Sequence, residues 1–314
     1  IRTEEITKQK NELENTHEEI KLRSEQIQEK NKEITDSILY SRRIQRSILP
    51  SQEKTKSLLN NFFIFYKPKD IVSGDFYWIE KSPLNDKKVF FAVADCTGHG
   101  VPGAMVSLIS TRALNSSLLE HKLEHPNEIL DETNLIVTEA FTDYETGTII
   151  KDGMDIALGS LDYTNDKTVT FEFSGAQNPA WIITKIDEDN LVVNGEEIEP
   201  NILSETHKLF IIKATKQPIG HFDMKTPFLN NISNLTKGNK IYLFSDGFAD
   251  QFGGDVSTGR IDGKKYKYKS FKIFLLGIQH QAISKQKLDL EKEFYDWKKD
   301  LEQVDDVCIM GVSI

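Results

Sequence analysis

The first fifty residues contain no glycine and no proline before Pro50, and the chain changes character at that point. A run so rich in Glu, Lys and Gln takes helical dihedrals readily, because it lacks both the backbone entropy penalty of Gly and the missing N–H of Pro. Ile6, Leu13, Ile20, Ile27 and Ile34 recur at intervals of seven. On an isolated helix a strict seven-residue repeat drifts around the surface, whereas against a second helix it forms a continuous seam. The companion positions Lys10, His17, Ser24 and Asn31 are polar, which makes such a coiled coil weak and dynamic; a single solvated helix is the plainer alternative. The repeat lapses at Ser41, and Pro50 stops the run. We expect residues 1–50 to form a helical coiled-coil or signalling linker and residues 51–314 a separate domain. A parallel homodimer that passes a signal onward is the functional extension. Because the chain begins with Ile, we also expect an upstream sensor domain in a longer protein.

Residues 1–50 carry ten basic and ten acidic residues, so the formal charge of -10 resides in the rest of the chain. An acidic domain argues against a nucleic-acid partner or a nuclease, since phosphate backbones are held chiefly by clustered Lys and Arg. It suits a domain that gathers carboxylates around cations. Two cysteines, Cys96 and Cys308, are too few for a disulfide framework and point to a reducing cytoplasm. Cys96 and His99 stand at a C-x-x-H spacing, and His121 and His125 share a helix face, but nothing completes a zinc pattern. No apolar run approaches the roughly 20 residues that cross a bilayer, so no membrane segment is expected in this fragment.

After residue 60 short β-branched and aromatic runs begin: 62–66, 76–79, 89–94, 156–161, 168–173, 181–184, 209–212, 240–244 and 307–312. Helix-compatible stretches lie at about 101–120, 127–142, 268–282 and 286–302. Helices and strands come in blocks rather than alternating, which predicts an α+β sandwich with largely antiparallel sheets.

Four acidic segments share one layout, with the acid at a strand end. They are Ser73-Gly74-Asp75-Phe76, Asp95-Cys96-Thr97-Gly98-His99-Gly100, Ser245-Asp246-Gly247 and Asp305-Asp306. Carboxylates so placed can meet at one edge of a sandwich, where only cations offset their repulsion. Oxygen donors select Mg²⁺ or Mn²⁺, and two such ions activate a water for in-line attack on phosphorus. Glycines beside these acids let the backbone come close to an ion.

Together these motifs resemble, in order and spacing, the metal-dependent protein phosphatases of the phosphatase 2C type. The nearer resemblance is to the bacterial SpoIIE/RsbU-like branch, in which a helix like that ending at Ile44-Gln45-Arg46-Ser47-Ile48-Leu49-Pro50 leads into the catalytic domain. Ser174-Gly175-Ala176-Gln177-Asn178-Pro179 and Gln217-Pro218-Ile219-Gly220 support the same branch. The resemblance implies an α-β-β-α sandwich of two central antiparallel sheets flanked by helices, preceded by a long N-terminal helix. It implies a centre of two Mn²⁺ or Mg²⁺ ions, with Asp95 bridging both, Asp75 bound to one, and Asp246 and Asp305 bound to the other. The backbone carbonyl of Cys96 takes the place of a glycine carbonyl, and Asp306 ranks behind Asp305 as a metal ligand. By the same resemblance the substrate is a phosphorylated bacterial regulatory protein, such as an anti-sigma-factor antagonist.

Two departures matter. The eukaryotic relatives place a histidine, proposed as proton donor, two residues after the bridging aspartate, whereas His99 stands four after Asp95. Two roles therefore suit His99, the catalytic donor and a hydrogen-bonded loop residue. No arginine lies between Arg46 and Arg112 to grip phosphate, leaving Lys67 and Lys69 as substitutes or as plain surface lysines. Asp155 enters an apolar strand either as a further metal group or as a turn residue. A dimeric signalling scaffold with an inactive phosphatase-like domain is the alternative to an enzyme, and the intact acidic set speaks against it.

Overall fold

A computed structural model describes residues 2–143, 145–165, 168–223, 225–254 and 263–314, without the side chains of residues 2, 4–8 and 12, so Ile6 of the seven-residue repeat falls outside the described side chains. The chain divides into two units, Ile1–Ile44 and Gln45–Ile314. The first belongs to helix α1 (Arg2–Ile48), which carries i,i+3 and i,i+4 ion pairs such as Arg23–Glu19 and Lys30–Glu33. Leu13, Ile20, Ile27 and Ile34 are 57–70% exposed along it, so among the described residues nothing covers their apolar surface.

The second unit begins with the last turn of α1. Pro50 breaks that helix, and Ser51 caps α2 (Gln52–Leu58) by accepting the Lys54 N–H. Strands β1 (Phe62–Lys67), β2 (Phe76–Lys81) and β3 (Lys88–Cys96) follow, then helices α3 (Gly100–Asn115, running on into a π turn) and α4 (Pro126–Ala140). Next come β4 (Gly153–Asp162), β5 (Val169–Ala176), β6 (Ala180–Lys185), β7 (Ile202–Leu203), β8 (His207–Ile212), β9 (Ile219–Gly220), β10 (Asn231–Leu235) and β11 (Lys240–Phe244). Helices α5 (Gly247–Asp250), α6 (Lys267–Gly277) and α7 (Ile283–Lys298) precede the last strand, β12 (Val307–Ser313).

One sheet has the order β1-β12-β11-β6-β8-β7, and the other the order β10-β5-β4-β3-β2 with β9 paired to β4. Neighbouring strands in both run antiparallel. Alternation along β3 shows how the layers form: Phe91 and Val93 face the other sheet, where Ile182, Phe210 and Leu243 meet them, and Phe171 of their own sheet packs beside them. Phe90, Ala92 and Ala94 face outward beneath Val106, Leu114, Ile129 and Val137 of α3 and α4. Because both faces are covered, the strand reads as an unbroken apolar run rather than a half-buried alternation. The outer face of the first sheet, with Phe65, Trp181 and Phe244, is covered by Phe271 and Leu275 of α6 and by Leu290 and Phe294 of α7. This is the expected α-β-β-α sandwich. Its antiparallel ladders bring the ends of β3 and β11 and the starts of β2, β4 and β12 to one edge.

Candidate metal centre

Asp95 ends β3 directly opposite Asp155 of β4 in the ladder. Asp246 follows β11, and Asp305 precedes β12. The carboxylates of Asp95, Asp155, Asp246 and Asp305 line one cleft of about 290 Å³ together with Cys96 and His99. Burial pushes the Asp95 carboxyl up to about 8, and the negative charges of Asp246, Asp305 and Asp155 push the same way. Asp155 is raised to about 6, by burial and then by Asp246. Asp246 is raised by burial, Asp250 and Asp305. Asp246 Oδ1 is buried and, among the described residues, has no hydrogen-bond partner. A buried anionic oxygen without a donor is costly unless a cation meets it. The donors are thus the hard oxygens that Mg²⁺ or Mn²⁺ accepts. Among the described residues no three His, Cys, Asp or Glu side chains close on a single point.

Asp75 and Asp306 lie under the cleft rather than in its wall, each about 2% exposed. Asp75 Oδ2 accepts the Ser245 hydroxyl at 2.5 Å, and its carboxyl is raised by burial and then by Asp95. Asp306 accepts the Lys69 N–H at 2.7 Å through Oδ1 and the Gly74 N–H at 2.8 Å through Oδ2. It therefore clamps both ends of the loop that carries Ser73, Gly74 and Asp75. Asp305 lines the cleft instead.

Close backbone approach explains two glycines. A Cβ on Gly74 would stand 2.5 Å from Gly98 O, and one on Gly103, in the first turn of α3, would stand 2.1 Å from the same oxygen. Gly103→Ala must push apart the two loops that bring Asp75 and Asp95 together. We expect a loss of about 1–3 kcal/mol, read as a lower urea midpoint, with a fall in metal-dependent turnover larger than the stability loss explains.

His99 Nδ1 lies 2.9 Å from Asp70 Oδ2. Lys67 Nζ sits 4.9 Å over the Tyr295 ring, and its carbonyl accepts the Gln303 amide, so it is engaged away from the cleft. Cys96 is a buried free thiol, while His121 and His125 pair with Glu132 and Glu172. Lys265 pairs at 2.6 Å with Asp250, at the end of helix α5 that follows Asp246. Pro218 joins the wall of the cleft, placing the Gln217–Gly220 motif at its rim.

Residues 85–314 match the family model described as Stage II sporulation protein E (SpoIIE). The chain belongs to the SpoIIE family. Its fold is similar to that of the SiaA-PP2C domain of Pseudomonas aeruginosa, with 26% identity and a TM-score of 0.70 over 90% of this chain and 98% of that one. It is also similar to the PP2C phosphatase domain, with a fragment of the regulatory domain, of SpoIIE from Bacillus subtilis. There the identity is 17% and the TM-score 0.57, over 81% of this chain and 63% of that one. The RsbU and RsbW domains of a Mycobacterium tuberculosis protein give 16% identity and a TM-score of 0.56, over 81% of this chain and 59% of that one. A search of curated proteins finds no match. Family and fold are those implied by the acidic motifs, the PP2C type of the SpoIIE/RsbU branch.

Three further residues of this SpoIIE-family chain stand near the site. Asp70 holds His99. Gln45, at the end of α1 and 3% exposed, donates to Ser73 O at 2.6 Å and Ser107 Oγ at 3.1 Å and accepts the Ser73 N–H. Tyr268 packs on Trp181 and Phe244, and its phenol is raised by burial and by the nearby Asp246, Asp250, Asp95 and Asp155.

Proposed function

We propose that the chain is a Mn²⁺- or Mg²⁺-dependent phosphoserine/phosphothreonine protein phosphatase. The observation that carries this reading is the gathering of Asp95, Asp155, Asp246 and Asp305 in one cleft, with an unpartnered Asp246 oxygen. Asp95, Asp246 and Asp305, with the Cys96 carbonyl, would hold the ions directly; Asp75 and Asp306 would fix the loops from below. When bound, the ions supply an activated water and neutralise charge on the phosphoryl oxygens. The chain's own part is to hold the carboxylates in place and to bring a proton donor, His99, to the rim where the seryl or threonyl oxygen departs. The acidic surroundings repel a bare phosphate, so substrate entry requires the cations first.

The substrate we infer is a small bacterial regulatory phosphoprotein such as an anti-sigma-factor antagonist, met in a reducing cytoplasm. Support comes from family membership and from a domain whose net negative charge disfavours nucleic acid. Mn²⁺-dependent phosphate release from p-nitrophenyl phosphate and from a phosphoserine peptide tests the enzyme reading. No release from either, with Mn²⁺ bound, would favour an inactive scaffold.

We further infer that α1 pairs with a second copy and carries a signal from an upstream sensor. The support is the exposed line Leu13, Ile20, Ile27 and Ile34. Light scattering at micromolar concentration should give a dimeric mass for the full chain and a monomeric mass for the Ile20→Glu, Ile27→Glu double variant. Equal masses would remove the pairing.

A further inference from the structure

His99 stands just ahead of α3 with extended backbone, and its side chain makes no capping bond to that helix. Its ring is instead tied sideways, Nδ1 to Asp70 Oδ2 at 2.9 Å. A carboxylate can only accept, so the ring carries its proton on Nδ1 and Nε2 is the ring nitrogen outside that pair; His99 is one of the residues that line the cleft.

Asp70 is itself well fixed. It belongs to the β1–β2 loop whose Lys69 and Gly74 amides are both gripped by Asp306. On its other side it lies against the start of α3, where a Cβ on Gly100, at φ +66°, would come within 3.3 Å of Asp70 Oδ2. The two side chains are 55% and 46% exposed, and a pair so open to water contributes little to stability. Fold stability therefore gives no reason for an aspartate at this position, whereas orientation of the ring does.

We propose that Asp70 is a positioning residue that sets the tautomer and direction of His99, so that His99 Nε2–H delivers a proton to the departing seryl oxygen. This inference rests on the phosphatase reading. In the step, the protonated ring holds Nδ1–H toward Asp70. As the bond between phosphorus and the seryl oxygen breaks, its electron pair stays on that oxygen and takes the Nε2 proton. The product is a neutral ring with its proton on Nδ1, which regains the other from solvent; the attacking water releases its own proton to solvent.

A seryl oxygen must be protonated as it leaves, while p-nitrophenolate departs as a stable anion. The contrast between two substrates thus reads proton delivery and is blind to general loosening of the site. The full chain and the variants Asp70→Asn, His99→Gln and Asp70→Asn/His99→Gln are compared with saturating Mn²⁺ on a phosphoserine peptide and on p-nitrophenyl phosphate. We expect kcat on the peptide to fall about 10²-fold in His99→Gln and about tenfold or more in Asp70→Asn. Each of these losses should exceed the loss on p-nitrophenyl phosphate by at least about tenfold. The double variant should be no slower on the peptide than His99→Gln alone. Asp70→Glu should recover part of the peptide rate.

Equal losses on the two esters, or a further loss on adding Asp70→Asn to His99→Gln, would overturn the assignment while leaving the phosphatase reading intact. If the unaltered chain cleaves neither ester, both readings fall together. Thermal midpoints close to that of the unaltered chain identify variants that fold; a variant that does not is replaced by His99→Asn or Asp70→Ser, judged by the same ratio.

Discussion

Asp95→Asn should lower Mn²⁺-dependent release of phosphate by about 10³-fold or more and, in the absence of metal, make the protein more stable at pH 8. The two effects come from one cause. Asp95 stands at the end of β3, facing Asp155 across the ladder, with Asp246 and Asp305 in the same cleft. Its carboxyl is raised to about 8 by burial and by those neighbours, against an ordinary value of 3.8. A group whose pKa rises on folding adds stability that is fully present below its unfolded pKa and is lost as pH climbs through the folded one. The window here runs from about 4 to about 8. The metal-free protein should weaken across that range, and Asp155, raised to about 6, adds to the slope over its lower part.

An asparagine carries no charge to desolvate, so Asp95→Asn should flatten the slope and raise metal-free stability at pH 8 by about 1–3 kcal/mol. Urea midpoints at pH 5 and pH 8, with chelator and with Mn²⁺, test this. Mn²⁺ should stabilise the unaltered chain more than the variant, because the ion relieves in one what the substitution has already removed in the other. A variant less stable than the parent at pH 8 without metal would show that the carboxylates are not in mutual conflict.

Much of this site is legible in the sequence because its acids sit beside strong strand signals. Val89 to Ala94 and Lys240 to Phe244 announce buried strands, and Asp95 and Asp246 follow them within a residue or two. What stays hidden depends on contacts between distant residues with no local pattern. Asp70 and His99 are 29 residues apart, and nothing in Lys69-Asp70-Ile71 distinguishes a partner for a ring from a surface acid. Strand β10 escapes notice because its pattern runs against the rule: Ser233 is 2% exposed and Ile232 43%. The two aspartates at 305 and 306 look alike in sequence, yet one lines the cleft and the other binds two amides, a division set by the strand pairing that follows. Gln45 is legible in the sequence only as part of the segment Ile44 to Pro50 that leads into the domain; its burial comes from the fold.

That burial makes Gln45→Leu a damaging change at a position outside the acidic cleft. The amide of Gln45 is a two-way clamp: Oε1 accepts the Ser73 N–H at 3.1 Å, while Nε2 donates to Ser73 O at 2.6 Å and Ser107 Oγ at 3.1 Å. Leucine fits the space but leaves the Ser73 N–H and C=O buried without partners, a loss of about 2–4 kcal/mol. Ser73 stands two residues before Asp75, and Ser107 lies on the helix that follows the Asp95 loop. Loosening the clamp should therefore weaken Mn²⁺ affinity and turnover together, beyond what the unfolded fraction explains. Gln45→Glu separates the two halves of the clamp, because a carboxylate still accepts the Ser73 N–H and no longer donates to its carbonyl or to Ser107. Its expected place is between the parent and Gln45→Leu in both urea midpoint and Mn²⁺ affinity measured by calorimetry. A Gln45→Leu protein with parental Mn²⁺ affinity would mean that the Asp75 loop holds its shape through Asp306 alone, and that the last turn of α1 has no grip on the site.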